Sequence, residues 1–167
     1  MIEIILACVY LILSIVPFSI LRYYPFLKNL RLPLRATCLL YTIVLLSELA
    51  GMGLLRYYGL WSSDIYSAYR FFFAIAFGVL SFWLIKADFF KQFFVYTMTV
   101  TYVIFVCGNA HFFEFLGIVY WEEAPDLLIA NIVIVLQLLL TGPFVCRFLK
   151  NRVVPLLTLD SPVWKYI

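Results

Sequence analysis

The sequence predicts an all-α integral membrane bundle of five transmembrane helices, with the N-terminus outside and the C-terminus cytoplasmic. Three observations predict it. The first is composition: 66% of the 167 residues are hydrophobic, 13% are charged, and the mean hydropathy is +1.05. Soluble domains carry about 25% charged residues. A chain this short cannot enclose a core large enough to hide so much apolar surface. The second is the run length of the apolar stretches, about 20 residues, as a spanning helix needs. Barrel strands would be about 10 residues long with alternating polarity. Lipid offers no partners to backbone polar groups, and a helix satisfies its own.

The third observation is where the positive charges fall. Arg22, Lys28, Arg31 and Arg35 lie between the first and second stretches, and Lys86 and Lys91 between the third and fourth. Arg147, Lys150, Arg152 and Lys165 follow the fifth, so ten of the twelve basic residues occupy alternate segments. Only Arg56 and Arg70 fall in the other set. Cytoplasmic loops retain Lys and Arg, which sets the orientation and makes the number of spans odd.

The five-helix domain is expected over 1–152. Span one covers 4–21, with Pro17 near its inner end, where a membrane helix tolerates proline. No signal peptide is expected. The first charge is Glu3 rather than a basic residue, and no small-residue cleavage site follows the apolar run. The basic loop Arg22–Arg35, with Tyr23, Tyr24, Pro25 and Pro33, reads as an interfacial elbow. Span two covers 36–55 and holds Glu48 and the small-residue patch Ala50-Gly51-Met52-Gly53. The aromatic segment Arg56–Ser67 is expected on the outer interface. Span three covers 69–85. A short turn at 86–91 makes spans three and four antiparallel neighbours. Span four covers 92–108, with a possible extension through Phe115. The outer segment Asn109–Asp126 is acidic, without Lys or Arg. Span five covers 127–145, with Asn131 and Gln137 inside it. Residues 153–167 are expected to form a cytoplasmic tail or the start of a further helix, so the chain reads as a fragment.

Glu48 is the sharpest anomaly. It sits about 10 Å below the outer end of span two at 1.5 Å per residue, and an embedded carboxylate costs a few kcal/mol. Arg70, on the next helix, is the expected partner, because a long side chain reaches down from the interface. Asn109, His111 and Glu114 on span four and Asn131 on span five lie at a similar level. The six residues Glu48, Arg70, Asn109, His111, Glu114 and Asn131 form the candidate ligand site. The plainer reading of the same residues is packing and helix-end solvation. Gln137 is expected to make an interhelical hydrogen bond.

Catalytic patterns are absent. One His excludes a two-His metal site, and no HExxH, GxSxG, P-loop or GxGxxG occurs. Cys8, Cys38, Cys107 and Cys146 lie in or at the edge of spans without a CxxC, and read as packing residues. No enzyme activity, cofactor or metal is expected. The charge of +3 sits at helix ends and faces headgroups rather than nucleic acid.

The basic elbow Tyr24-Pro25-Phe26-Leu27-Lys28, the inner turn Phe89-Phe90-Lys91-Gln92 and the exit Arg147-Phe148-Leu149-Lys150-Asn151-Arg152-Val153-Val154-Pro155 carry a resemblance. The exit is followed by Leu159-Asp160-Ser161-Pro162-Val163-Trp164. With the outside start, this layout resembles the N-terminal membrane region of bacterial sensor histidine kinases of the GHKL type, the peptide-pheromone receptor group. The resemblance implies further spans and a cytoplasmic dimerisation and ATP-binding part beyond this chain. It also implies a sensing half that phosphorylates nothing, since His111 is placed outside.

The leading expectation is thus a ligand-sensing module in the bacterial cytoplasmic (inner) membrane. Its partners would be the bilayer, a small or peptidic extracellular ligand and a second copy of the chain. A small transporter or transporter subunit is the alternative, although five spans do not divide into equal halves. A membrane assembly partner is the third reading.

Overall fold

The computed structural model describes residues 2–60, 62–121 and 125–158. These are helical, with no strand among them. In order they form α1 (Ile2–Tyr23), a 3-10 turn (Tyr24–Asn29), α2 (Leu34–Tyr57), α3 (Ser63–Leu84), α4 (Phe89–Tyr120) and α5 (Leu128–Phe148). A widened π turn (Leu149–Val153) then leads into the short α6 (Val154–Thr158). Five of these helices are long and apolar enough to cross a membrane. The chain divides into two compact units, Met1–Pro25 with Asp88–Ile167, and Phe26–Ala87.

In the first unit α1, α4 and α5 pack pairwise. The packing face of α1 is periodic: Ala7, Tyr10, Leu11, Ser14, Ile15, Phe18, Leu21 and Arg22 are its buried residues. Steps of three and four place them on one stripe. Phe18 meets Tyr102 of α4 edge-on at 5.5 Å, and the Tyr102 hydroxyl bonds Thr141 of α5. The helix continues through Pro17 to Tyr23.

Arg22 departs from the expected elbow. It lies inside α1, is buried, and donates from Nη1 to the Gln92 carbonyl at 2.8 Å. Its guanidinium also stands 5.6 Å from the Tyr96 ring centre. A carbonyl acceptor and an aromatic face each attract a planar cation and offset part of the cost of burying it.

Helix α4, at 32 residues, is the longest. At 1.5 Å per residue it runs about 48 Å, well beyond a hydrocarbon core of about 30 Å. It starts at Phe89, with Asp88 Oδ1 accepting from the Phe90 N–H at 2.9 Å. Lys91 is therefore helical rather than in a turn. Its Nζ donates to the Leu157 carbonyl at 2.8 Å, fastening the end of α6 to the start of α4. A cation on the last carbonyls of a helix is a favourable pairing.

The second unit holds α2 and α3. Helix α2 ends in a Schellman turn. Leu60 N–H reaches the Leu55 carbonyl at 3.0 Å and Gly59 N–H the Arg56 carbonyl at 3.1 Å. Gly59 has φ +68°, a conformation that glycine adopts without a Cβ penalty. Ser62 caps α3 by accepting from the Ile65 N–H. The expected outer segment Arg56–Ser67 thus shrinks to a connection over 58–62. Trp61, expected on the outer interface, lies outside the described residues.

At the other end of this unit the chain is clasped. Leu30 and Ile85 form an isolated antiparallel bridge. Arg31 N–H donates to the Leu84 carbonyl at 2.8 Å, and Lys86 N–H to the Asn29 carbonyl at 2.6 Å. Within the small-residue patch, Gly51 is the position of close approach, because a Cβ there would meet the Tyr69 hydroxyl. Gly53 faces open space.

Candidate functional site

Glu48 and Arg70 meet as expected. Glu48 lies nine residues before the end of α2, and Arg70 seven after the start of α3. At 1.5 Å per residue both lie roughly 10–14 Å from the connection between the helices. Arg70 Nη1 donates to Glu48 Oε1 at 2.9 Å. The Glu48 side chain is 1% exposed and that of Arg70 27%, so the carboxylate is desolvated while the guanidinium keeps partial access. The Tyr69 hydroxyl donates to the Glu48 backbone carbonyl at 2.6 Å. It reinforces the same contact one residue away, against the Gly51 surface. Glu48 Oε2 is buried and has no hydrogen-bond partner among the described residues. Buried polar atoms are nearly always partnered, so such an oxygen is conspicuous.

The other four candidates belong to the first unit, and three of them hold structural contacts there. Sequence reasoning placed Asn109, His111 and Glu114 at the outer end of span four, where the acidic outer segment begins. All three lie within α4, which runs on to Tyr120. His111 Nε2 and the Tyr10 hydroxyl share a 2.7 Å hydrogen bond, with the rings 5.3 Å apart. Asn131 Nδ2 donates to the Leu6 carbonyl at 2.9 Å, tying α5 to α1. Its Oδ1 is buried without a partner among the described residues. Asn109 is half-buried on α4.

Glu114 has a role that sequence spacing did not signal. Its Oε1 accepts from the Leu127 N–H and its Oε2 from the Ala130 N–H, each at 2.6 Å. Leu127 is the N-cap residue of α5, in the left-handed region at φ 65° with no side-chain cap of its own. The first N–H groups of a helix lack intrahelical partners and favour a negative charge. Glu114 supplies both acceptor and charge from a different helix. A leucine at positive φ is costly and persists only where its surroundings hold it. The two short bonds from Glu114 do so.

Gln137 does not make the expected interhelical bond through its oxygen, since Oε1 is buried without a partner among the described residues. Its backbone carbonyl instead accepts from Thr141 Oγ1 at 2.7 Å. Among the described residues no three His, Cys, Asp or Glu side chains gather as metal ligands. The acidic residues Glu122 and Glu123 lie outside the described residues.

No family model, curated protein or solved structure matches the chain.

Proposed function

We propose that this chain is the ligand-sensing transmembrane module of a bacterial two-component receptor, with its N-terminus outside and the kinase part elsewhere. One observation carries the reading. Glu48 is a desolvated carboxylate with one oxygen on Arg70 and the other buried without a partner among the described residues. A carboxylate embedded among apolar helices is a functional candidate by default. The free oxygen is an acceptor for an N–H or a cationic group on a small or peptidic ligand. Glu114 is engaged by backbone N–H groups, while His111 and Asn131 each hold one bond to α1. These three serve as scaffold around the signal path.

A sensor of this kind works by binding one of two helix arrangements more tightly than the other. The exit from α5 through the π turn into α6 is the route to the cytoplasm, and the Lys91–Leu157 contact couples it to α4. The test is reporter output from the full-length protein in its native host. Glu48→Gln, which keeps the shape, and the double variant Glu48→Leu with Arg70→Leu, which strands no charge, are expected to abolish the response, with membrane levels unchanged. An unaltered response in both variants would refute the sensing site and leave the pair as packing alone.

Orientation has its own test. In a cysteine-free background, an impermeant thiol reagent added outside is expected to label Glu123→Cys and to spare Asn151→Cys. The reverse pattern overturns the topology drawn from the basic residues.

A further inference from the structure

At the end of α1 a groove of about 410 Å³ opens between two parts of the first unit. One wall is Ile20, Leu21 and Tyr24, where α1 passes into its 3-10 turn. The other is Cys146, Arg147, Leu149, Lys150 and Asn151, where α5 widens into the π turn. Pro155 accounts for the widening. It lacks an N–H, and in a regular α-helix its ring would crowd the Asn151 carbonyl. The chain opens instead, with Val154 N–H reaching the Leu149 carbonyl five residues back. Leu149 and Val153 turn into the core, while Arg147, Lys150 and Asn151 stay exposed.

The chemistry of the groove is divided. Ile20, Leu21 and Leu149 make its floor apolar. Arg147 and Lys150, three residues apart, share one helix face at its rim. No carboxylate lines it, and neither cation makes an ion pair among the described residues. Tyr24 and Asn151 complete the lining, and nearly all of the groove's surface is apolar. An apolar floor gives nothing to a free anion. A zwitterionic headgroup would bring a second positive charge toward two existing ones. The occupant that satisfies both parts is an amphiphile with an anionic head.

We propose that this groove is a binding site for an anionic phospholipid. Its phosphate sits at Arg147 and Lys150, and an acyl chain runs along Ile20, Leu21 and Leu149. The arrangement is one by which basic pockets between membrane helices hold anionic headgroups. It rests on the membrane-spanning character of the helices and not on the sensing reading.

The test uses the full chain purified in neutral detergent. Dioleoyl phosphatidylglycerol and dioleoyl phosphatidylcholine are titrated separately, and the first bound lipid is counted by native mass spectrometry. Each basic residue near an anionic lipid contributes about a fivefold gain. Two predict a preference for phosphatidylglycerol of roughly twenty-five-fold. Arg147→Gln combined with Lys150→Gln is expected to reduce the preference to within about twofold, at two exposed positions where folding is not at stake. Cys146→Trp fills the groove, leaves both cations, and is expected to lose the first phosphatidylglycerol. Equal binding of the two lipids by the unaltered chain would overturn the proposal. So would a preference that survives the double substitution or the tryptophan. Displacement of the lipid by inorganic phosphate alone would reassign the cations to a free anion and overturn it as well.

Discussion

Replacing Arg70 by alanine is expected to destabilise the α2–α3 unit by about 3–5 kcal/mol, because it strands a buried carboxylate. The partial exposure of Arg70 places the result toward the lower end of that range. Replacing both partners tells more than either single change. Glu48→Leu combined with Arg70→Leu removes the charges together. Paired ions exchanged for apolar residues of similar volume are often neutral or stabilising. The double variant is therefore expected to be more stable than either single variant, with a strongly non-additive cycle. Unfolding in detergent, followed by helical circular dichroism, measures all four proteins. Additive effects would mean that the 2.9 Å contact contributes nothing as a pair. If the double variant is stable but silent in signalling, the charges serve function at the expense of stability.

Glu114→Ala is the second large effect. It removes the acceptors of the Leu127 and Ala130 N–H groups and the charge at the start of α5. Stranding a buried donor costs about 1–3 kcal/mol each, more where the lost partner is charged. Leu127 also loses what holds it at positive φ. Glu114→Gln keeps one carbonyl acceptor but turns an NH₂ group toward the other N–H, so an intermediate loss is expected. A compensating Leu127→Gly in the alanine background should recover part of the stability, since glycine adopts that conformation without the side-chain penalty. Hydrogen exchange at the first turn of α5 reports the effect locally. Unchanged protection there in Glu114→Ala would remove the capping role.

The helices were legible because lipid leaves so few alternatives. A run of about 20 apolar residues has to be a helix when no water can satisfy its backbone. The Glu48–Arg70 contact was legible for a related reason. Each is an isolated charge on a neighbouring helix, and an embedded carboxylate has few places to turn. Helix ends were less legible, because Asn109, His111 and Glu114 look like the start of a loop. A helix accepts polar residues without breaking, His111 and Glu114 here finding partners on other segments, and α4 carries all three onward to Tyr120. The destinations of those partners had no signature. Spacing rules describe a cap from the same segment, whereas Glu114 reaches 13 and 16 residues ahead to another helix. Arg22 misled for the opposite reason: flanked by tyrosines and a proline it reads as interface, yet Tyr96 and the Gln92 carbonyl hold it inside. The lipid groove could not be read in advance, because it exists only where Pro155 forces the turn before it to widen.

The clasp at Leu30 and Ile85 bears on how such a chain could have been assembled. The two hydrogen bonds around it bring the ends of the α2–α3 hairpin side by side. A pair of crossings returns the chain to the face it left, so the hairpin is neutral with respect to the direction of every later helix. The segment therefore has the form of a cassette: its gain or loss in descent would leave α1, α4 and α5 facing as before. The single buried ion pair of the described residues lies inside that cassette, and the capping carboxylate and the lipid groove lie outside it. The buried ion pair and the cap of α5 are thus carried by separate stretches of the chain.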